Sequence, residues 1–363
     1  TLGLPACAGA GGRILIEEAK RLFHSSGMLR EGSTSYHLLL TRAYVEAWGA
    51  ALTHRRPEEP ALRAVAVAAL QVVPRLVLPG GLPLVGDVAP DCPPEHLAGL
   101  FGGEDGGWLG WLAEEERTAF LALRAAAQPA DPDVLRAAGW LRADFGPWSG
   151  LWHVNPDGWQ PVPGYGHQDL GACELHYQRE AVLVDPGQGA WREAALYRSG
   201  AVHGLLSIDD ADPYPPNRPC YDAAFHRHVC GPPPVLTRSG NTVTVKHDGF
   251  TRLHGGGSIG PLVRIWRFAG GRVTLEDCVE TAVPVTIRRR LVTALVVAPP
   301  GDDGSILLVG RDGRRYRVTA DTPLRLHPFT RFTGYGRGRP AAILEMTNRV
   351  HGAWSGMVTL TAL

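Results

Sequence analysis

No apolar run in the chain approaches the roughly 20 residues needed to span a bilayer, so no membrane span is expected. Net charge is missing as well, since 36 acidic side chains balance 36 basic ones. A balanced chain has no global field to draw it to nucleic acid or to an anionic membrane, so an anionic partner must be held by a local cluster of cations. There is no C-x-x-C pair among the six cysteines, which excludes the short zinc-ribbon and thioredoxin-like motifs. Cys220 and Cys230 flank a proline-rich loop and could pair in an oxidising compartment, with buried free thiols as the plainer reading. Thr1 is followed by neither a basic nor an apolar leader, so the start reads as processed or trimmed. Internal repeats and low-complexity tracts are also absent.

What is present changes character near Gly150. The 363 residues exceed the roughly 250 at which a single core stops growing, so two domains are expected, a helical one over 1–150 and a β one over 151–363. In the first, Leu38, Val45, Trp48 and Leu52 recur on one helical face, with Ser33 and Thr34 as candidate caps. Glu17–Phe23, Pro60–Leu78, Glu114–Ala127 and Pro132–Leu141 also read as helical. After the Trp- and Gly-rich GPWSGLWHVNPDGW the period switches to alternation. Short β-rich runs such as Thr242–Val245, Leu262–Phe268, Val273–Leu275, Leu291–Val297 and Ala342–Met346 are separated by turn signals like AGGR and RDGR. Helices in one block followed by strands in another predict separate helical and antiparallel β domains, not a doubly wound α/β fold.

The segment richest in chemistry is GYGHQDLGACELHYQREAVLVDPGQGAW, continued by ALYRSGAVHGLLSID. Within it His167, Asp185 and His203 offer two imidazoles and a carboxylate, a donor set that suits Zn²⁺ with a fourth position open. Cys173–Tyr177 and Ala181–Asp185 read as a hairpin that returns Asp185 toward His167, and a third strand carrying His203 could lie alongside. Spacings of about 18 residues match no short metal motif, and hydrogen-bonded core residues remain the alternative at this point.

GHQDLGACELH, LVDPGQG and RSGAVH, in that order, resemble the signature of the heparinase II/III family of polysaccharide lyases, with its H-x-H-x-D, V-D-P-G and R-S-x-x-x-H elements. The resemblance implies a zinc ion on His167, Asp185 and His203. It also implies an active-site histidine where this chain has Tyr165, whose hydroxyl could serve in proton transfer instead; a wall residue without that role is the other reading. From the residues alone, the Tyr-His pair of GMLREGSTSYHLLL on an apolar helix reads as core packing; its similarity to the family's D-G-x-x-x-E-x-S-x-x-Y-H helix start would make Tyr36 the Brønsted base or acid and bring His37 into the active-site region. HDGFTRLHGGG is similar to an element near the family's cleft, and implies that Arg252 or His254 contacts sugar carboxylates; a solvated turn is the other reading.

The resemblance predicts an α+β multidomain chain, a partial α/α toroid followed by an antiparallel β-sandwich, with the cleft between them. It implies β-elimination on a uronate-containing acidic polysaccharide, in the periplasm or secreted by a bacterium. The family's earlier helix with its N-N-H or N-H motif is not visible, so a preceding segment or a second chain would complete the cleft. A non-catalytic carbohydrate-binding or exopolysaccharide-export protein that keeps the fold and the metal is the main alternative. A glycoside hydrolase using Glu31 and Asp169 is a weaker one.

Overall fold

The computed structural model describes residues 5–89, 92–102, 107–155, 166–215, 218, 220, 222–334 and 336–363. Helices come first: α1 (Pro5–Leu22), α2 (Thr34–Thr53), α3 (Glu59–Leu76), α4 (Glu114–Ala126) and α5 (Pro132–Ala137). Leu38, Val45 and Trp48 of α2 are buried as the period requires, in a core shared with Leu62, Leu70 and Val73 of α3. Leu52, assigned to the same face, is exposed in the last turn of α2. The helix expected over Pro132–Leu141 ends at Ala137, because Gly139 adopts φ +87° and turns the chain into the first strand.

That strand, β1 (Trp140–Phe145), opens a four-stranded antiparallel sheet with β2 (Trp148–His153), β3 (Cys173–Tyr177) and β4 (Glu180–Leu183), in the order 1-2-3-4. Strands thus begin inside the span read as helical. A short helix, α6 (Ala194–Arg198), follows, and then β5 (Leu206–Ile208) and α7 (Ala223–Cys230). The remaining strands are β6 (Val235–Ser239), β7 (Thr242–His247), β8 (Leu262–Ala269), β9 (Arg272–Thr293), β10 (Val296–Val297), β11 (Ile306–Val309), β12 (Arg315–Ala320), β13 (Arg325–Phe332) and β14 (Gly338–Ala362). They form a second antiparallel sheet in the order 10-11-12-14-9-8-7-6, with β13 added on β14 and β5 on β9.

The two sheets face each other. Trp148, Trp152 and Leu175 of the small sheet share one core with Trp266, Phe268, Leu275 and Tyr316 of the large one. Phe145 stacks on Phe268 with centroids 4.0 Å apart. This is a β-sandwich, and the helical part is joined to it by a separate apolar cluster in which Met28, Leu76 and Val85 meet Trp140 and Leu151.

Three of the runs read as short strands, Val273–Leu275, Leu291–Val297 and Ala342–Met346, lie wholly or in part in two much longer ones, since β9 and β14 extend over 22 and 25 residues and pair along most of their length. The arginine triplet Arg288–Arg290 does not interrupt β9, because each guanidinium finds a carboxylate: Asp210, Asp321 and Glu345 respectively. Arg289 and Arg290 are buried. Among the cysteines Cys220 is exposed and Cys230 buried, and both are free thiols, so the Cys220–Cys230 bridge does not form.

Candidate metal centre and cleft

The hairpin read from the sequence is present. β3 and β4 are joined through Gln178, which takes φ +52°, and the return strand delivers Asp185 to the buried end of the pair. His167 precedes β3 in a loop fixed by the Gln168 amide on the carbonyl of Arg198. His203 lies not on a third strand but in a turn before β5. That turn is clamped from the large sheet, where Arg264 donates to the carbonyl of Gly204 and the Arg290 amide donates to Leu205. Arg264 is itself held by a bidentate pair with Asp277.

His167, Asp185 and His203 form a buried cluster whose ligand atoms all lie within 4.8 Å of one another. His203 Nδ1 is 3.0 Å from Asp185 Oδ2, and the two imidazole centroids are 5.2 Å apart. Tetrahedral ligation at about 2.0–2.1 Å sets ligand atoms about 3.3 Å apart, so a modest contraction would suffice. The surroundings fit the same use. His203 Nε2–H donates to the carbonyl of Tyr197 at 2.8 Å, which leaves Nδ1 toward the cluster. His167 Nε2 sits 2.8 Å from Oδ1 of buried Asp87, which makes Nδ1 the ligand atom that ring would offer. Imidazoles ligating a metal through one nitrogen characteristically donate through the other to a carbonyl or carboxylate, as both do here. Asp185 is held on three sides: its amide donates to Glu174, its carbonyl accepts from Arg331, and its Oδ1 accepts from the Gly187 amide. Burial opposes a charge on His203, but the Asp185 and Asp169 carboxylates and the Tyr197 carbonyl together outweigh it and raise its pKa to about 9, so a metal ion there would compete with a proton.

Asp87 was not singled out from the sequence. It follows the turn-like GGLPLVG, and its partner is 80 residues away, so no local pattern marks it. Its segment runs as a strap between α2 and the β wall. Ser33, the N-cap of α2, accepts from the Tyr36 amide and donates to the carbonyl of Asp87 at 2.6 Å, while Thr34 bonds Pro83 and Val85 and Ser35 bonds Ala89. On the other side the Val88 amide donates to Gln188. Gly86, at φ +75°, must be glycine, since a Cβ there would meet the Gly32 carbonyl at 2.6 Å.

Tyr36 therefore stands on the first turn of the helix latched to this strap, half-buried beside the helical core. His37 is placed differently from expectation. Its ring is fully buried, Nδ1 accepts from the Leu29 amide and Nε2 donates to the carbonyl of Ala69, and burial lowers its pKa to about 4. It is a core histidine with both nitrogens engaged by backbone, and it does not reach a cleft. Tyr165 lies outside the described residues. Arg252 is corrected too: its guanidinium binds the carbonyls of Asp212, Pro213 and Gly249, staples the loop, and is committed away from any sugar. His254 pairs with Asp209 at 2.7 Å on the surface, as a solvated turn would.

Glu31 and Asp169 line one small cavity together with His153, Trp140 and His167. Burial and then nearby Asp87 push the Glu31 carboxyl up; burial raises Asp169, but His153 and the other imidazoles outweigh it and hold it below the usual range. The space, about 40 Å³, suits a water molecule or two and not a pyranose ring. A far larger cleft, about 500 Å³, opens between Gly80–Leu84 and Pro94–Phe101 of the helical part and β3, β4 and Arg331 of the sandwich. Arg179 and Arg311 stand at it with no carboxylate on their guanidinium groups among the described residues, and inside it Arg331 and His176 face Glu174. Arg179 and Arg311 are local cations of the kind an anionic partner would need, at positions the sequence did not mark.

A partial helical toroid thus meets an antiparallel sandwich whose wall carries the buried His167, Asp185 and His203 cluster. The family described as Heparinase II/III-like, C-terminal, matches residues 127–352, and the chain belongs to that family. No curated protein matches it in sequence. Among solved structures it is similar to a heparinase III gene product (TM-score 0.69, 13% identity, 99% of this chain and 55% of that one). It is also similar to the heparan sulfate lyase HepC from Pedobacter heparinus (TM-score 0.68, 15% identity, 99% and 56%). A further heparinase III gives a TM-score of 0.64 at 14% identity, over 97% and 57%. The chain thus spans a little over half the length of these structures.

Proposed function

We propose that this chain is the cleft-forming half of a zinc-containing polysaccharide lyase acting on a uronate-bearing acidic polysaccharide. What carries the reading is the burial of His167, Asp185 and His203 as one cluster beside the strap that holds the Tyr36 helix. The donor set of two imidazoles and one carboxylate favours zinc over the oxygen-loving cations. Bound there, zinc would supply fixed positive charge and rigidity to the wall of the cleft.

In β-elimination the C5–H bond of the uronate breaks, the electron pair forms the C4–C5 double bond, and the C4–O bond breaks with protonation of the departing oxygen. Tyr36 is the group proposed to hold or move the proton, with Tyr165 as its partner where relatives of this family carry histidine. The C5 proton becomes acidic only when the adjacent carboxylate's charge is neutralised. Arg179, Arg311 and Arg331 at the 500 Å³ cleft are the cations proposed to hold the polymer's anionic groups. No helix of the described chain is long and apolar enough to cross a membrane. A periplasmic or secreted site of action follows from the substrate class, with an exopolysaccharide as one candidate polymer.

The test is incubation with a panel of uronate polymers, followed in the ultraviolet for the conjugated C4–C5 double bond. Accumulation of the unsaturated product supports elimination. New reducing ends without that absorbance would mean hydrolysis, and tight binding with neither would favour the carbohydrate-binding alternative.

A further inference from the structure

We infer that Asp87 is a positioning residue of the metal centre and that through it a bound ion fixes the first turn of α2, the turn that carries Tyr36. The inference rests on the proposed metal site. It follows from an unbroken series of short contacts across the junction of the two domains.

His167 stands between its cluster and Asp87. One ring edge faces Asp185 and His203, and on the other edge Nε2 meets Oδ1 of Asp87 at 2.8 Å, both side chains being buried. A carboxylate in that place fixes the ring's tautomer and orientation and makes the opposite nitrogen a better donor to a cation. Arg198 approaches the second oxygen of Asp87 at 3.7 Å, from the segment whose carbonyl receives the Gln168 amide. Asp87 is thus aligned by the same loop that presents His167.

Its backbone faces the opposite way. The Asp87 carbonyl accepts from Ser33 Oγ at 2.6 Å, and the same oxygen atom of Ser33 accepts from the Tyr36 amide at 3.0 Å. Thr34 and Ser35 pair the flanking strap residues, so α2 and the strap move as one piece. The His167–Asp87 contact ties that piece to the metal ligands, with the Val88–Gln188 bond beside it. Ordering His167 by a metal therefore restrains Asp87, and restraining Asp87 holds the cap beneath Tyr36. By reciprocity, loosening the strap must weaken metal binding.

The experiment measures zinc affinity by competition with a chromophoric chelator in the wild type, Asp87→Asn and Asp87→Ala, together with amide exchange at Tyr36 with and without zinc. Asp87→Asn keeps the volume and removes the charge, so it reports even if Asp87→Ala fails to fold. The expected result is a 10- to 100-fold weaker affinity in Asp87→Asn, the usual cost of losing such a partner. Zinc should slow exchange of the Tyr36 amide in the wild type and do so less in the variant. Affinity within twofold of wild type in Asp87→Asn, or exchange at Tyr36 indifferent to zinc, overturns the inference while leaving the metal site standing. A wild-type protein that takes up no zinc removes the metal site itself.

Discussion

The placement of His37 makes a quantitative pH prediction. The imidazole is wholly buried against Phe23, and both nitrogens bond backbone groups that suit only the neutral ring. Burial lowers its pKa from 6.5 to about 4. As pH falls the unfolded chain takes up this proton first, so the stabilisation is present above pH 6.5 and is lost between 6.5 and about 4. Linkage with those two values gives a loss of about 2 kcal/mol at pH 5 and about 3 kcal/mol once the folded ring is protonated. His247, pushed down to about 3 by burial and two arginines, loses stability in the same direction, so the wild type alone cannot apportion the effect. His37→Gln keeps one acceptor and one donor without a titrating group. Urea unfolding at pH 7 and pH 5, in chelator to remove metal linkage, should show a drop about 2 kcal/mol smaller in the variant. An equal drop in both proteins would refute the buried neutral ring. Loss of turnover in His37→Gln with stability unchanged at both pH values would return His37 to the active site.

Purified protein should contain one zinc per chain, and His203→Ala should lose it, as measured by elemental analysis. Saturation at 100 times Kd should stabilise the wild type by about 2.7 kcal/mol in thermal unfolding, with no such gain in His203→Ala. Replacing Arg179 and Arg311 together with alanine should raise KM for an acidic polymer several-fold with little change in kcat, and the difference should shrink as salt is added.

The metal hairpin was legible because its signals are local: alternation in Cys173–Tyr177, a turn at Gln178–Arg179, and two donors carried to one end. The α2 start was legible for the same reason, through the cap at Ser33 and the apolar spacing that buries Leu38, Val45 and Trp48. What failed depends on partners far along the chain. Arg252 reads as a free cation until the carbonyls of Asp212 and Pro213 are seen to surround it. Only the resemblance brought His37 to the active-site region; on an apolar helix the residue reads as core packing, and Ala69 and Leu29 occupy its ring. The lengths of β9 and β14 were not legible because they are set by the mutual pairing of two segments far apart in the chain. Asp87 could be found only from the fold, since its role is defined by His167 and Ser33 together.

The central claim is that this chain carries proton transfer for elimination on Tyr36, beside a zinc-braced wall. The most direct measurement is the rate of unsaturated-product formation from a uronate polymer by the wild type and by Tyr36→Phe, each with its zinc content determined. Loss of one hydroxyl should lower kcat about 100- to 10,000-fold with zinc content and thermal stability unchanged, because general acid–base groups are typically worth that much. A Tyr36→Phe protein that forms the product within a few-fold of the wild-type rate, or a zinc-loaded wild type that forms none from any uronate polymer, would contradict it.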